Sequence, residues 1–378
     1  MLLTPRGYPG RRPAPTRPRR DVDWHPLRLT TPVKQHVFGG RAIAERLGRN
    51  RLPDGPVAET WEVSDVEGDA STVLDGPLAG RTLRQITAEH PDELLGPRLP
   101  SGPRFPLLTK FIDGRGTLPV HLHADDATAR RLEGEPNGKT EAWHVLDAAP
   151  GATALVGVRP GVDRDALHRA LPAQDFDAVM RRLPVRAGQT VYVPGGTLHS
   201  FGPDTLVHEI EQTSDIQQHA MRRRMEDGSP VPDHEWHANL DRLLDEWRPG
   251  PRPGFHPGLS VPSGDGVVRT VLCAGPHFAL ERWSAGPSTP LSYRFSTVRI
   301  LTNAGAPVTV TTGSWTGLLD RARTLLLPAV LGEVRIQGAA DLLIGYVPDL
   351  EHDIRGPLLA AGHRPAAVAA LGEGLGPR

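Results

Sequence analysis

The chain has 378 residues and carries 43 Lys and Arg against 44 Asp and Glu, a formal net charge of −1. That length exceeds a usual single domain and is ample for a sizeable core, while the charge balance excludes a global field drawing the chain to nucleic acid or an anionic membrane. One cysteine, Cys273 in the apolar run Val271-Leu272-Cys273-Ala274, excludes a disulfide framework and a cysteine-based zinc site, and predicts a buried, inert thiol.

No apolar run approaches the ~20 residues of a membrane span, and the N-terminus lacks the apolar core of a secretory signal. The expectation is a cytoplasmic protein, monomer or homodimer, that acts on a small molecule, with neither nucleic acid nor a membrane as partner.

Residues 1–30 open with six arginines and repeated prolines in the first twenty positions, and read as a disordered extension with little to bury. Thr60-Trp61-Glu62-Val63 and Thr72-Val73-Leu74 read as strands, and Thr82 caps one helix running to Leu95. Phe105 to Ile112 is a dense apolar strand interrupted by Lys110. The turn Asp113-Gly114-Arg115-Gly116 predicts a β-hairpin into the next strand. After a polar stretch, 124–139, strands are expected over 142–146 and 152–158, then one or two helical pieces over 163–183.

A helix over 237–247 carries Leu240, Leu243, Leu244 and Trp247 at core-facing spacing, and the Pro- and Gly-rich run 248–254 reads as a linker. From Val267 to Tyr346 short strands return, and the Ala-, Gly- and Pro-rich residues after Gly356 read as a loosely ordered tail. The domain organisation expected is an extension, 1–30; a catalytic β unit with helical insertions, 31–236; a helix and linker, 237–258; a second, metal-free β domain, 259–355; and a tail, 356–378.

Two segments carry chemistry. Leu118-Pro119-Val120-His121-Leu122-His123 alternates apolar residues with histidines, so His121 and His123 share one face of a strand. Gly188 to His199 gives a glycine, a β-rich run, a Pro-Gly turn and a histidine at the start of the next strand. His121, His123 and His199 with Glu141 make an N/O ligand set for one divalent metal, suited to zinc, iron, manganese or nickel.

Pro194 and His199, six and eleven residues after Gly188, match the second motif of cupin barrels. Phe105-Pro-Leu-Leu-Thr-Lys-Phe-Ile-Asp113, His123-Ala-Asp-Asp126, Gly138-Lys-Thr-Glu-Ala-Trp143, Tyr192-Val-Pro-Gly-Gly-Thr-Leu-His199 and Ser214-Asp215 follow one another in the order and approximate spacing of a family. In these blocks the chain resembles the short bacterial class I mannose-6-phosphate isomerases (phosphomannose isomerases), from about Val37 to about Tyr346. The resemblance implies a mainly β protein with two cupin (jelly-roll) β-barrels and a small helical part. It also implies a zinc-dependent aldose–ketose isomerase that moves a proton through an enediol of a sugar or sugar phosphate.

By position, His123, Glu141 and His199 look like the family's zinc ligands, and His121 falls where members carry glutamine or lysine. Lys139 and Glu209 match pocket positions that relay the proton. His219, the third catalytic candidate with Lys139 and Glu209, stands four residues after the Ser-Asp pair, where members carry an arginine, so Arg222, Arg223 and Arg224 just beyond, together with Asp215, are the candidates for binding substrate. These departures keep two other readings open. One is a cupin metalloenzyme with iron or manganese that uses oxygen or a specialised, unphosphorylated substrate. The other is a non-catalytic sugar-binding relative.

Overall fold

The structure is a computed structural model, and it describes residues 22–99, 102–250, 252–264 and 266–376. It is mainly β, with two pairs of antiparallel sheets. The first pair uses β1 (Val33–Lys34), β2 (Glu59–Val63), β3 (Leu107–Gly114), β4 (His121–Leu122), β5 (Glu141–Ala148), β6 (Thr153–Val158), β7 (Met180–Pro184), β8 (Thr190–Val193), β9 (His199–Phe201), β10 (Thr205–Gln212) and β11 (Gln218–His219). They form a six-stranded sheet, β1-β2-β3-β10-β5-β8, and a five-stranded sheet, β11-β4-β9-β6-β7.

Between these two sheets Ile112, Trp143, Val145, Val156, Val191, Phe201 and Val207 make one apolar core. The strands alternate as period-2 elements must. On β10, Val207, Glu209 and Glu211 face into the sandwich while His208 and Ile210 face out, yet all are buried. The outward face is buried because the second unit packs on it: Leu107, Ala142, Tyr192 and Ile210 share a cluster with Leu272, Cys273, Leu280, Ile300 and Leu343. Burial of Cys273 there pushes its thiol up to about 12, in keeping with the expected inert cysteine.

The second pair uses β12 (Leu259–Pro262), β13 (Val267–Ala274), β14 (Ala279–Ala285), β15 (Leu291–Arg294), β16 (Arg299–Asn303), β17 (Val308–Thr312), β18 (Trp315–Leu319), β19 (Thr324–Leu327), β20 (Glu333–Gln337) and β21 (Ala340–Tyr346). Its sheets are β12-β13-β14-β21-β16-β19 and β15-β20-β17-β18. Each unit packs two antiparallel sheets against each other, and no closed barrel is found among the described residues.

Several local expectations are corrected. No hairpin joins β3 to the His-x-His strand: β3 pairs β2 and β10, while β4 crosses to the other sheet and pairs β9 and β11. Pro119 lacks the N–H a hairpin ladder would use, and Leu118 donates instead to the Phe201 carbonyl at 3.0 Å.

The helix capped by Thr82 ends at Glu89, and a second begins at Pro91. The proline ring forces His90 out of the α region, to φ −134° and ψ 49°. Thr82 and Gln85 do form the reciprocal capping box.

Of the expected unstructured extension, residues 1–21 lie outside the described residues. Residues 22–30 are ordered, since Leu27 exchanges backbone hydrogen bonds with Leu326 at 2.8 and 3.0 Å. The tail is also ordered, with helices Gly356–Ala360 and Pro365–Ala369 burying Leu358, Val368, Leu371 and Leu375 against the second core. Its leucines and valine supply the apolar stripe that a composition rich in Ala and Gly conceals.

Candidate metal centre and its cavity

Sheet pleating brings the histidines together. Val120 and Leu122 turn into an apolar layer with Leu198, Trp236, Leu240 and Leu243 under the helix Asp233–Glu246, so His121 and His123 turn into the sandwich. His121 is the direct cross-strand partner of His199. Glu141 opens β5 on the facing sheet and reaches them from across the core.

The four side chains meet in a cluster whose imidazole nitrogens lie within 4.8 Å of one another. Glu141 places its carboxylate oxygens 3.2 Å from His123 Nε2 and 3.1 Å from His199 Nε2. His121 Nε2 is 2.9 Å from His199 Nε2. Each ring is oriented by its other nitrogen: Nδ1 of His121, His123 and His199 donates to the carbonyls of Pro119, Ile216 and Thr197 at 2.7, 2.7 and 2.8 Å. With Nδ1 protonated in the neutral ring, every Nε2 offers a lone pair to one point.

Burial, then the neighbouring rings of His199 and His123, hold His121 well below its ordinary value. Burial and the Lys139 ammonium hold His123 down at about 3. Burial alone would raise Glu141, but His199 and His123 keep it well below the usual carboxylate range. Converging imidazoles and a carboxylate are the donor set of a divalent metal site. Zn–N bonds of about 2.0–2.1 Å would put tetrahedral donors roughly 3.3 Å apart, close to the separations found.

Beside this cluster stands a wall of charge. Lys139 Nζ lies 3.4 Å from His123 Nε2, 3.8 Å from Glu141 and 3.1 Å from Glu211. Lys110 Nζ lies 3.5 Å from Glu59, 3.5 Å from Glu209 and 3.0 Å from Glu211. The Trp143 indole donates to Glu141 Oε1 and to Glu209 Oε1, both at 2.9 Å, tying the cluster to the wall. Burial, and then Glu211 and Glu141, drive the Glu209 carboxyl well above its ordinary value. Burial opposes the Lys139 ammonium most strongly, but Glu211, Glu141 and Glu209 together outweigh it and raise the lysine above its ordinary value.

Sequence reasoning found Lys139 and Glu209 but missed Glu59, Lys110, Trp143 and Glu211. The signal was present in the period-2 run Val207-His208-Glu209-Ile210-Glu211, which puts both glutamates on the Val207 face, and in the lysine interrupting the apolar strand at 110.

A cavity of about 330 Å³ opens on this wall and is lined by His121, His123, Lys139, Glu141, Glu209 and His219, among others. His219 sits opposite His121 in the β4–β11 ladder, with ring centroids 6.0 Å apart, and burial lowers its ring below the ordinary histidine value. Asp215 is exposed at the cavity edge. The arginines expected to replace the family's guanidinium face away: Arg222 pairs with Asp233 at 2.6 Å and lies over the Trp236 ring, and Arg224 pairs with Glu235 at 2.8 Å. Arg223 is exposed and donates to the Gly228 carbonyl. Among the described residues no arginine lines the cavity.

A family model described as the phosphomannose isomerase type I catalytic domain matches residues 27–142. The chain is 28% identical over 326 residues to the mannose-6-phosphate isomerase of Streptococcus mutans, a match covering 85% of this chain and 98% of that protein. It is 37% identical over 191 residues to a Bacillus subtilis protein named probable mannose-6-phosphate isomerase GmuF. That match takes in 50% of this chain and 59% of the relative, so the chain spans less than two thirds of that protein's length. Among solved structures, it is similar to the mannose 6-phosphate isomerase from Bacillus subtilis, with TM-score 0.77 and 26% identity over 85% of this chain and 99% of that one. Among the described residues no helix is long and apolar enough to cross a membrane.

Proposed function

We propose that the chain is a class I phosphomannose isomerase, a metal-dependent aldose–ketose isomerase interconverting mannose 6-phosphate and fructose 6-phosphate; the family model over residues 27–142 and the similarity to mannose-6-phosphate isomerases over 85% of the chain support this reading. The observation that carries this reading is the convergence of three Nε2 lone pairs and one carboxylate beside a buried acid, a lysine and a neutral imidazole on one cavity.

His121, His123, Glu141 and His199 would hold one divalent cation, zinc first. A bound divalent cation supplies electrostatic stabilisation of negative charge growing on the substrate carbonyl oxygen. The chain's own groups handle the protons. His219, kept neutral by burial, is available as a base for the carbon-bound proton. Glu209, its carboxyl pushed up by burial and by Glu211 and held by the Trp143 N–H, can give a proton to a substrate oxygen and take one back. The Lys139 ammonium donates to the enediol oxygens, and its tether to Glu211 fixes its direction.

Residues 31–236 act on this reading as the catalytic unit and 259–355 as a metal-free structural one, joined through 237–258, both units being cupin-like. Support for the structural role is the Arg269–Glu281 ion pair at 2.6 Å, closed by the Trp283 indole at 2.7 Å, within the second core. The third imidazole, His121, favours a second reading with iron or manganese in the same site.

Elemental analysis of purified protein and a coupled assay with mannose 6-phosphate test the proposal. Stoichiometric metal with chelator-sensitive turnover is expected. Metal-loaded protein that turns over no hexose phosphate, or that consumes oxygen, overturns it.

A further inference from the structure

Resting on the sugar-phosphate reading above, we infer that the phosphate of the substrate is received at the β1 rim of the cavity by Lys34, with His36 beside it, and not by any arginine. A phosphate dianion needs charge-assisted donors, and lysine serves as a point charge where arginine's fork is missing. Among the described residues three lysines line the cavity: Lys34, Lys110 and Lys139.

Two of them are committed. Lys110 and Lys139 are buried and each faces more than one buried carboxylate: Glu59, Glu209 and Glu211 around the first, Glu211 and Glu141 around the second. Drawing either toward a phosphate strands a buried negative charge, which is strongly unfavourable.

Lys34 differs. Its carboxylate partner, Asp69 at 2.7 Å, is partly solvated, as Lys34 is, with side-chain exposures of 29% and 25%. Such pairs are weak and exchange readily, so a phosphate can take the place of Asp69 without leaving a desolvated charge. Lys34 Nζ is seated 4.6 Å over the Trp61 ring, whose indole donates to Glu59, and this aims the ammonium along the cavity wall. His36, two residues on and also lining the cavity, adds a ring N–H. Asp215 and Glu226 also line the cavity, and the Val37 N–H donates to the Met225 carbonyl at 2.8 Å, so Glu226 follows directly on a residue held beside His36. Among the described residues Lys34, ion-paired only with the part-solvated Asp69, is thus the lysine of the cavity free to meet a phosphate.

The test uses the full-length, metal-loaded protein as wild type, Lys34→Met and Lys34→Arg, with mannose 6-phosphate and mannose as paired substrates. For Lys34→Met the expected result is a rise of about tenfold or more in KM for mannose 6-phosphate with kcat nearly unchanged, the signature of lost uniform binding. KM for mannose and metal content stay at wild-type values, and Lys34→Arg restores most of the affinity.

Equal effects on both substrates, or none on mannose 6-phosphate, overturn the inference while leaving the isomerase reading intact. If the wild type turns over neither sugar, the isomerase reading fails, and calorimetry with fructose 6-phosphate and fructose decides the anion site separately. Tighter binding of the phosphate ester that Lys34→Met abolishes supports it; equal binding of the two sugars, or a preference that survives Lys34→Met, sinks it.

Discussion

His121 Nε2 and His199 Nε2 face each other at 2.9 Å while both rings donate from Nδ1 to backbone carbonyls. Two acceptors then meet with no proton to share, an arrangement that a cation between them relieves. His199→Ala removes the shared donor. Metal content is expected to fall from about one per chain to near zero, with turnover down by at least about a thousandfold. A variant that keeps both its metal and its activity would eliminate this site.

Metal removal should also lower stability. A ligand that binds only the folded state, at a hundredfold over its Kd, adds about 2.7 kcal/mol. Urea unfolding with and without chelator should show a midpoint lower by a corresponding amount, and restored by added zinc. Coincident curves would mean that the cluster binds no metal in solution.

Trp143 bridges the carboxylates of Glu141 and Glu209 through one N–H. Groups that orient metal ligands contribute roughly 10- to 100-fold to affinity or activity. Trp143→Phe keeps most of the ring and deletes that donor, so kcat or metal affinity should drop within this range with the fold retained. Wild-type values for both would show the bridge to be incidental.

Lys110 stands against Glu59, Glu209 and Glu211, all buried. Lys110→Met leaves buried carboxylates uncompensated, and removal of one partner from such a pair destabilises by about 3–5 kcal/mol. Denaturant titration should read a loss of that order at neutral pH; a loss under about 1 kcal/mol would contradict the charge wall.

His144 and His208 lie opposite each other in the β5–β10 ladder, on the face covered by the second unit. Burial holds both rings down at about 3. Their folded values lie below the unfolded value of about 6.5, so the unfolded chain binds more protons in between. Stability is therefore full above about pH 6.5 and falls with pH between 6.5 and 3, by up to roughly 1.4 kcal/mol per unit for each ring. His208→Phe should reduce this slope by the share of one ring, up to roughly 1.4 kcal/mol per pH unit. An unchanged acid slope in that variant would assign the proton uptake elsewhere.

The hairpin expected at residues 113–116 was overruled by long-range pairing, whereas the helix cap Thr82 was legible in the sequence because it is a local property of a few consecutive residues. The same holds for the inward pairing of His121 with His123, which follows from the period of a strand, and for the placement of His199 after a Pro-Gly turn. Which side chains would meet in the cluster could thus be read before any fold was known. The inward placing of Glu211 and Lys110 was visible in the sequence, but their role, like that of Glu59, was not, because a charged residue on an inward strand face has meaning only once its partners are known. Those partners come from strands as far apart as β2 and β10.

The crossing of β4 to the second sheet, the outward turn of Arg222 and Arg224 toward the helix Asp233–Glu246, and the docking of Leu371 into the second core were likewise decided by long-range packing. Sequence by itself determined which side chains can bind a cation, since that is covalent chemistry plus strand periodicity. Only the tertiary structure decided which charges are stranded from water and which remain free to meet a substrate, since desolvation depends on everything that surrounds a group and not on its neighbours in the chain.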